Sequence, residues 1–229
     1  MRIVDGFLLR AALATGAIVG TALVSYSANA ATINVANPSF EIITAGLPFT
    51  IGCGNSNPTC AYNDGPIPDW STSGGQTGQQ NLGTLLAPEN GSLEAYANGN
   101  GTSIYQTVSA KAIAGDRYTL DVYVGNRTDG YNGPVTVELI VGGIITDASG
   151  LAPTSGGWSL WTASYVAAVS GAPITIDLIS DGTQGNFDNV SLTAAPLPST
   201  WTMLMAGFIG LGFFAYRGSK NRPVALATA

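Results

Sequence analysis

In the stretch Tyr118-Thr119-Leu120-Asp121-Val122-Tyr123-Val124, leucine and valine alternate with threonine, aspartate and tyrosine. A period of two residues is that of a β-strand, in which successive side chains point to opposite faces. The pattern recurs at Val135, Val137, Leu139 and Val141, and again at Ile174, Ile176 and Leu178. These three segments therefore predict strands that each place one apolar face in a core.

Shorter segments around these three also have strand composition, and clusters of Gly, Asn, Asp and Pro separate them. The further predicted strands are residues 32–35, 92–97, 103–108, 160–168 and 187–193. The region between the chain ends contains no stretch with the apolar stripe of an amphipathic helix. The predicted fold class is therefore all-β, an antiparallel β-sandwich or jelly roll.

The N-terminal 30 residues have the layout of a secretory signal peptide. Arg2 and Arg10 give a charged start, and residues 11–24 form an apolar stretch. Ala28-Asn29-Ala30 supplies the small-x-small pattern that precedes a cleavage site, which predicts cleavage between Ala30 and Ala31. A retained first transmembrane helix is the alternative.

The C-terminal region contains a second apolar segment, residues 201–216, with 16 residues and no charge. As a helix it would cover roughly 24 Å of a hydrocarbon core about 30 Å thick. Arg217, Lys220 and Arg222 follow, and such residues favour the cytoplasmic side of a membrane. The sequence thus predicts a single transmembrane helix at about residues 200–216, with the body outside. A buried core helix is the alternative.

The motif Pro196-Leu197-Pro198-Ser199-Thr200, followed by the glycine-rich apolar segment and the basic end, resembles the PEP-CTERM sorting signal of Gram-negative bacteria. Leu197 stands where that family usually has Glu. The resemblance implies recognition by a membrane protease of the exosortase type. It also implies transient anchoring in the inner membrane, with the N-terminal side out and the C-terminus in, and then delivery to the cell surface or extracellular biofilm matrix.

The segments 1–30 and 196–229 leave residues 31–195 as the body, a length that suits one domain with its own core. Lys111, Arg117 and Arg127 are its only bases, against 13 acidic residues, so its net charge is −10. A surface of this charge argues against nucleic acid or an anionic membrane surface as a partner.

The two cysteines of the chain, Cys53 and Cys60, lie in a loop rich in turn residues. In an exported protein this spacing favours a disulfide. The alternative is a metal site with two thiolate ligands. That site would need two more ligands, and the chain contains no histidine.

The body also carries a series of short motifs at or beside the predicted strands. They are Asn37-Pro38-Ser39-Phe40-Glu41, Ile67-Pro68-Asp69-Trp70, and residues 104–108, 115–120, 156–161 and 186–192. In this order they resemble the galactose-binding-like jelly roll of many carbohydrate-binding modules. The resemblance implies a sandwich fold and a sugar-binding role.

In that family a glutamate after the first strand and an aspartate at the last strand often help to hold a structural calcium ion. Glu41 and Asp188 match those positions. Calcium prefers six to eight oxygen ligands, so two carboxylates with backbone carbonyls would join the two ends of the domain. The alternative is that Glu41 caps a turn and Asp188 accepts hydrogen bonds from backbone amides.

A sugar-binding site normally combines aromatic faces with amides and charged groups that bond to hydroxyls. The residues predicted to bind a ligand are Tyr96, Tyr123, Asn126, Arg127 and Tyr131, because they lie on a polar strand face or among Asn and Gly. Trp70 and Trp161 are predicted to pack in the core, and Trp158 is a further aromatic candidate.

The lack of histidine excludes Ser-His-Asp and Cys-His catalysis. A glycosidase with paired carboxylates is the alternative, drawn from Glu89, Glu94, Glu138 or Asp177. We expect a protein without catalytic activity that has a binding or structural role, with an extracellular polysaccharide as the ligand. A secreted carbohydrate-active enzyme and a passive surface protein are the other two hypotheses.

Overall fold

Strands account for most of the computed structural model, which describes residues 30–53, 57–196 and 200–219. The described strands are β1 (Ala31–Ile33), β2 (Thr50–Cys53), β3 (Asn57–Tyr62), β4 (Ser71–Ser73), β5 (Gln76–Asn81), β6 (Glu94–Asn98), β7 (Thr102–Lys111), β8 (Asp116–Asn126), β9 (Val135–Val141), β10 (Ile144–Asp147), β11 (Ser149–Gly150), β12 (Gly157–Val166), β13 (Pro173–Ser180) and β14 (Gln184–Pro196). The helix α1 (Thr200–Ser219) follows. Residues 1–29 of the predicted signal peptide, residues 197–199 of the sorting motif and the basic end from residue 220 lie outside the described residues.

The strands form two antiparallel sheets. The larger sheet has the order β11-β12-β8-β14-β6-β5-β3-β2, with β1 also paired to β14. The smaller sheet has the order β10-β9-β13-β7-β4. The first and last described strands of the domain are thus neighbours, since Ala31 lies opposite Ala194. This arrangement confirms the all-β prediction and the antiparallel sandwich.

A single apolar layer joins the two sheets. From the larger sheet it contains Leu120, Val122, Val124, Phe187 and Leu192, and from the smaller sheet Val137, Leu139, Ile174, Ile176 and Leu178. All are buried, so the two-residue period predicted the inward faces of β8, β9 and β13 correctly. Trp70 packs in the same core against Phe40, with ring centroids 5.2 Å apart.

The C-terminal helix differs from its prediction. In the part of the chain that the structure describes, no helix is long and apolar enough to cross a membrane. The apolar run is 16 residues long and contains Gly207, Gly210 and Gly212, while α1 extends beyond it to include Arg217. The transmembrane helix predicted at about residues 200–216 is therefore not found among the described helices.

The cysteine pair lies on the outermost hairpin of the larger sheet. Cys60 is fully buried in β3, and the described residues contain no free cysteine. The side chain of Cys53, on the neighbouring strand β2, is outside the described part. The Cys53–Cys60 disulfide therefore stays a prediction.

Three acidic residues lie side by side on the outer face of the smaller sheet. Cross-strand register places Glu138 between Asp147 and Asp177. Burial raises the pKa of Glu138, and the negative charges of Asp177 and Asp147 raise it further. Burial likewise raises the pKa of Asp177. Like charges directly opposite each other destabilise a sheet, so this row costs stability at neutral pH.

We expect Glu138→Gln to stabilise the fold by about 0.2 to 0.5 kcal/mol at pH 7, because Glu138 is only half-buried and solvent screens the repulsion. The folded-state pKa of Glu138 is raised, so its unfavourable charge is present above that pKa and is lost as the pH falls through it. The gain should therefore shrink on acidification. Urea unfolding of both proteins at several pH values measures it.

Asp116→Asn is the matched control, because it removes one charge from the other sheet, away from this row. A gain that grows at low pH, or an equal gain in the control, would contradict the assignment. High salt should reduce the difference between Glu138→Gln and the parent protein.

Candidate functional site

Polar side chains occupy the outer faces of β6 and β14, two adjacent strands of the larger sheet. Ala95, Ala97 and Phe187 point into the core, so the residues that alternate with them point outward. The outward residues are Glu94, Tyr96 and Asn98 on β6, and Gln184, Asn186 and Asp188 on β14. All except Asn98 are buried. Other segments of the chain therefore cover this outer face.

One of the covering segments follows β3. The Asn63 amide donates to the Gln79 carbonyl of β5, and the Gln79 amide donates to the Asn63 side-chain oxygen. The Gly65 amide donates to the Thr77 carbonyl. Gly78 makes this approach possible, because a Cβ atom at that position would lie 1.9 Å from the Asn63 carbonyl oxygen. The segment thus continues the pairing of β3 along the edge of β5 and brings the Asn63 carbonyl over Gly78 on the outer face.

A pocket of about 390 Å³ opens beside this segment, and we call it the outer-face pocket. Its lining comes from the β3 and β5 region, from β6 and β14, and from the loop after β8. The lining residues are Tyr62, Asp64, Gln76, Gln80, Tyr96, Asn98, Arg127, Asp129, Gly130, Tyr131 and Gln184. Besides Arg127, Asp129 and Gly130, the lining therefore consists of three tyrosines and five side chains with an amide or a carboxylate group.

Arg127 organises one wall of the pocket. Its Nε and Nη2 atoms donate to the Asp129 carboxylate at 3.1 and 2.6 Å, and Nη1 donates to Gln184 Oε1 at 2.5 Å. The guanidinium carbon lies 5.3 Å from the centre of the Tyr131 ring. Only 6% of Arg127 is exposed, so this cation is buried with its charge paired.

The pairing with Arg127 affects the pKa of Asp129. Burial alone would raise the pKa of Asp129, but the hydrogen bonds from Arg127 and from the Tyr131 amide outweigh it and lower the pKa. Asn132 fixes the same loop from the other side, since its side chain accepts from the Arg127 amide at 2.7 Å and donates to the Arg127 carbonyl at 3.0 Å. Hydrogen bonds from both sides therefore brace this wall.

Tyr96 stands at the opposite wall. Its hydroxyl lies 2.7 Å from the Asn63 carbonyl oxygen and also bonds to the Asp64 carboxylate. Burial raises the pKa of Tyr96, and the bond to the negative Asp64 raises it further. The phenol therefore stays protonated and holds its ring in place.

Beneath the pocket lies a small polar network centred on Gln80. Its Nε2 atom donates to Glu94 Oε1 at 3.0 Å and to Asn186 Oδ1 at 2.8 Å. Glu94 Oε2, Asn98 Oδ1 and Asn186 Nδ2 are buried and have no hydrogen-bond partner within the described ranges. Burial raises the pKa of Glu94 well above its usual range, although the Gln80 bond acts against this shift. Asn98 is the one of these three residues that also lines the pocket, so its Oδ1 atom is the unused acceptor next to the pocket.

The structure brings three of the five predicted ligand-binding residues together, since Tyr96, Arg127 and Tyr131 all line the outer-face pocket. Tyr123 is half-buried on the outer face of β8, opposite Asp188, and does not line it. Asn126 lines a different, largely apolar cavity with Trp161, and donates to the Pro153 carbonyl at 3.0 Å.

The glutamines and Asp64 were not found from the sequence. Their signal was the composition of β5, Gln76-Thr77-Gly78-Gln79-Gln80-Asn81, in which both faces of a strand are polar. The buried amide side chains of such a strand need hydrogen-bond partners, which other side chains of the protein supply in place of solvent. Trp158, a further aromatic candidate, does not line the outer-face pocket, because it packs against Leu82 and Leu86.

The predicted metal ligands Glu41 and Asp188 approach the same short segment before β6. Glu41 Oε1 accepts from the Ser92 and Leu93 amides at 2.7 and 2.8 Å, and Asp188 Oδ2 accepts from the Asn90 amide at 2.9 Å. Among the residues described, no group of three or more His, Cys, Asp or Glu side chains is arranged to hold a metal ion. Backbone oxygens would have to complete any calcium site here.

The family model described as HpiC1-like, HpiC1 cyclase, matches residues 31–193. No curated protein matches the chain.

Several solved structures are similar to this chain at low sequence identity. One is the Clostridium thermocellum endo-1,4-beta-D-xylanase 10B, as its CBM22-1 and GH10 modules with xylohexaose, at 20% identity and a TM-score of 0.39. The match covers 55% of this chain and 26% of that chain, so this chain spans about a quarter of the xylanase structure. Another is the CBM22-1 xylan-binding domain of Paenibacillus barcinonensis Xyn10C, at 12% identity and a TM-score of 0.39, covering 57% of this chain and 88% of that domain.

Proposed function

The chain belongs to the HpiC1-like family through residues 31–193, and we propose that this domain binds carbohydrate in the outer-face pocket without catalysing a reaction. The floor of the pocket is the observation that carries the proposal. Asn98, which lines the pocket, has a buried Oδ1 atom without a partner in the described part of the chain, and Glu94 Oε2 and Asn186 Nδ2 are likewise unpaired in the polar network beneath the lining. A buried polar atom without a partner costs free energy, and a sugar hydroxyl both donates and accepts. A sugar hydroxyl can therefore pair with an unpaired acceptor or an unpaired donor of the protein.

The walls fit the same class of ligand. Pyranose rings pack their C–H groups against aromatic faces, and Tyr62, Tyr96 and Tyr131 border the pocket. Tyr131 is 46% exposed, so part of its ring remains open to a ligand while Arg127 lies against it. The amides of Gln76 and Gln184 supply further hydrogen-bonding groups around the opening.

The proposal that the domain lacks catalytic activity rests on the carboxyl groups. Glu89, Glu94, Glu138 and Asp177, considered above as glycosidase residues, are all absent from the pocket lining. Two other carboxylates do line it, Asp64 and Asp129. A glycosidase needs one carboxyl group that keeps a proton until it is used, whereas the bond with Arg127 lowers the pKa of Asp129.

We expect the purified chain to retain at least one polysaccharide, and Tyr131→Ala to weaken that binding about tenfold through loss of aromatic contact. Affinity electrophoresis against a panel of neutral and acidic polysaccharides identifies the ligand, and calorimetry then measures the affinity. The bound oligosaccharide should be recovered at its original length, which mass spectrometry checks.

Tyr105→Ala is the matched control, since Tyr105 lies on β7 of the smaller sheet. Equal weakening by both variants would show that the pocket is not the site. If no polysaccharide is retained, carbohydrate binding fails, and the family description then makes a ring-closing enzyme that uses the same pocket the second candidate. Shortened oligosaccharides would favour a glycosidase.

We also propose that Glu41 and Asp188 contribute to a structural calcium site. Both carboxylates bond to the segment of residues 90–93, and Asp188 is fully buried, with burial raising its pKa to about 7. A cation would offset the cost of burying this group. Backbone oxygens would supply the remaining ligands, because the described residues bring no third carboxylate together with these two to hold an ion.

Calcium at about 100 times its dissociation constant should raise Tm by roughly 5 to 10 °C, and chelation should reverse the shift. Glu41→Gln should reduce the response to calcium, while Glu138→Gln, on the other sheet, should leave it intact. Differential scanning calorimetry with calcium, with magnesium and with EGTA measures all three. No calcium-specific shift, or an equal response in Glu41→Gln, would remove the proposed site.

The chain ends support a further proposal about location, namely export and sorting by an exosortase-type protease to the cell surface or extracellular matrix. The small-x-small motif before Ala31 and the Pro196–Thr200 motif with its apolar and basic continuation are its basis. The acidic, lysine-poor body agrees with an extracytoplasmic location.

Expression of the full chain in a Gram-negative host with an exosortase should give a product that begins at Ala31 and has lost its C-terminal tail. Without the exosortase the tail should remain. Leu197→Glu restores the usual motif and should increase processing. Intact mass spectrometry of the membrane and extracellular fractions measures each form, and a tail retained in every case would overturn the sorting proposal.

A further inference from the structure

We propose that Asp64 makes the outer-face pocket select uncharged glycans over glycans that carry uronate, sulfate or phosphate groups. This inference rests on the proposed carbohydrate binding and adds a substrate class to it. It follows from which charges around the pocket are paired and which are not.

The charge of the single base in the pocket lining is already paired. Arg127 uses Nε and both Nη atoms in hydrogen bonds to Asp129 and Gln184, and Tyr131 lies over its guanidinium. Its charge is matched by the Asp129 carboxylate at 2.6 Å, the one ion pair in the described ranges. An anionic ligand would have to displace Asp129 to reach it.

Asp64 has no such compensation. Its carboxylate bonds to the neutral hydroxyl of Tyr96 and meets no cation. The charges that line the pocket are therefore one arginine and two aspartates, a net charge of −1. A ligand carboxylate that entered would be repelled by Asp64 without gaining an ion pair.

No other base of the domain lies close enough to offset this charge. Arg117 lies near the start of β8, whereas Arg127 directly follows the end of that strand. Arg117 is therefore ten residues from Arg127, roughly 30 Å along the strand. Lys111 lies on the smaller sheet, opposite Pro173. With 13 acidic residues in the body, the field around the pocket is also negative.

The remaining polar groups suit neutral hydroxyls. Gln76, Gln80, Asn98 and Gln184 are amides, which both donate and accept, and Asn98 has an unused acceptor oxygen. A carboxylate only accepts, so it cannot bond to that oxygen, whereas a hydroxyl can. Charge and hydrogen-bonding capacity therefore favour the same uncharged class of glycan.

The test compares one polysaccharide retained by the purified full chain before and after oxidation of its primary alcohols to carboxylates. The ratio of the two affinities, measured by calorimetry at low salt, is the readout. We expect the neutral form to bind at least about fivefold more tightly, the size of effect that one exposed charge produces a few ångströms from a ligand. Higher salt should narrow the ratio.

Asp64→Asn should move the ratio about fivefold toward the oxidised form, because an asparagine oxygen still accepts from Tyr96 but carries no charge. Asp116→Asn, which makes the same change in net charge far from the pocket, should leave the ratio close to that of the parent protein.

Each result decides between the two proposals. If neither form of any polysaccharide binds, the proposed function fails. If both forms bind equally well, carbohydrate binding stands and the charge selectivity is wrong. If Asp64→Asn and Asp116→Asn shift the ratio equally, the overall charge of the domain sets the preference and the role given to Asp64 is wrong.

Discussion

The apolar layer between the two sheets determines everything else in this domain. Leu120, Val122 and Val124 of β8 fill it from one side, and the inward residues of β9 and β13 fill it from the other. Because side chains alternate along a strand, burying one face of the larger sheet commits the other face to whatever residues remain. On β6 and β14 these remaining residues are glutamate, aspartate, asparagine, glutamine and tyrosine, so the core fixes where the polar site lies.

A polar face that is also buried is costly unless its groups are paired. Most of the outward residues on β6 and β14 are paired, through Gln80, Arg127 and the backbone of Asn63. Three of the four buried unpaired atoms among the described residues lie on these two strands, and the fourth, Asp177 Oδ1, lies on the smaller sheet. The acidic row on the smaller sheet differs, because Glu138 is only half-buried and contact with water lowers the cost of its charge.

Sequence patterns predicted the parts of the fold in which burial and alternation coincide. β8, β9 and β13 were predicted because their inward residues are aliphatic. β5 was not, because its polar residues lie on both faces and no alternation of hydrophobicity marks it. The helix was correctly located, and it was assigned to the membrane, whereas none of the described helices is long and apolar enough to cross one.

The part of the candidate site that lies in a loop could be predicted from the amino-acid composition of that loop. The Asn, Asp and Gly content around Arg127 and Tyr131 led to two residues that line the pocket, whereas Asn126, one position earlier, turns to the apolar cavity. Sequence spacing cannot reveal that Gln80 and Asn186, 106 positions apart, share a hydrogen bond. Long-range pairing of this kind depends on strand order, and the sequence motifs carried no information about it.

The loop between β8 and β9 explains how the pocket can bind without first being ordered. The Asn132 side chain bonds to the backbone amide and carbonyl of Arg127 at the start of the loop. The Gly133 amide donates to the Gln184 carbonyl of β14 at 3.0 Å. Gly133 also packs so closely on Gly182 that a Cβ atom there would lie 2.5 Å from the Gly182 Cα. A ligand that entered a wall fixed in this way would lose little affinity to loop ordering.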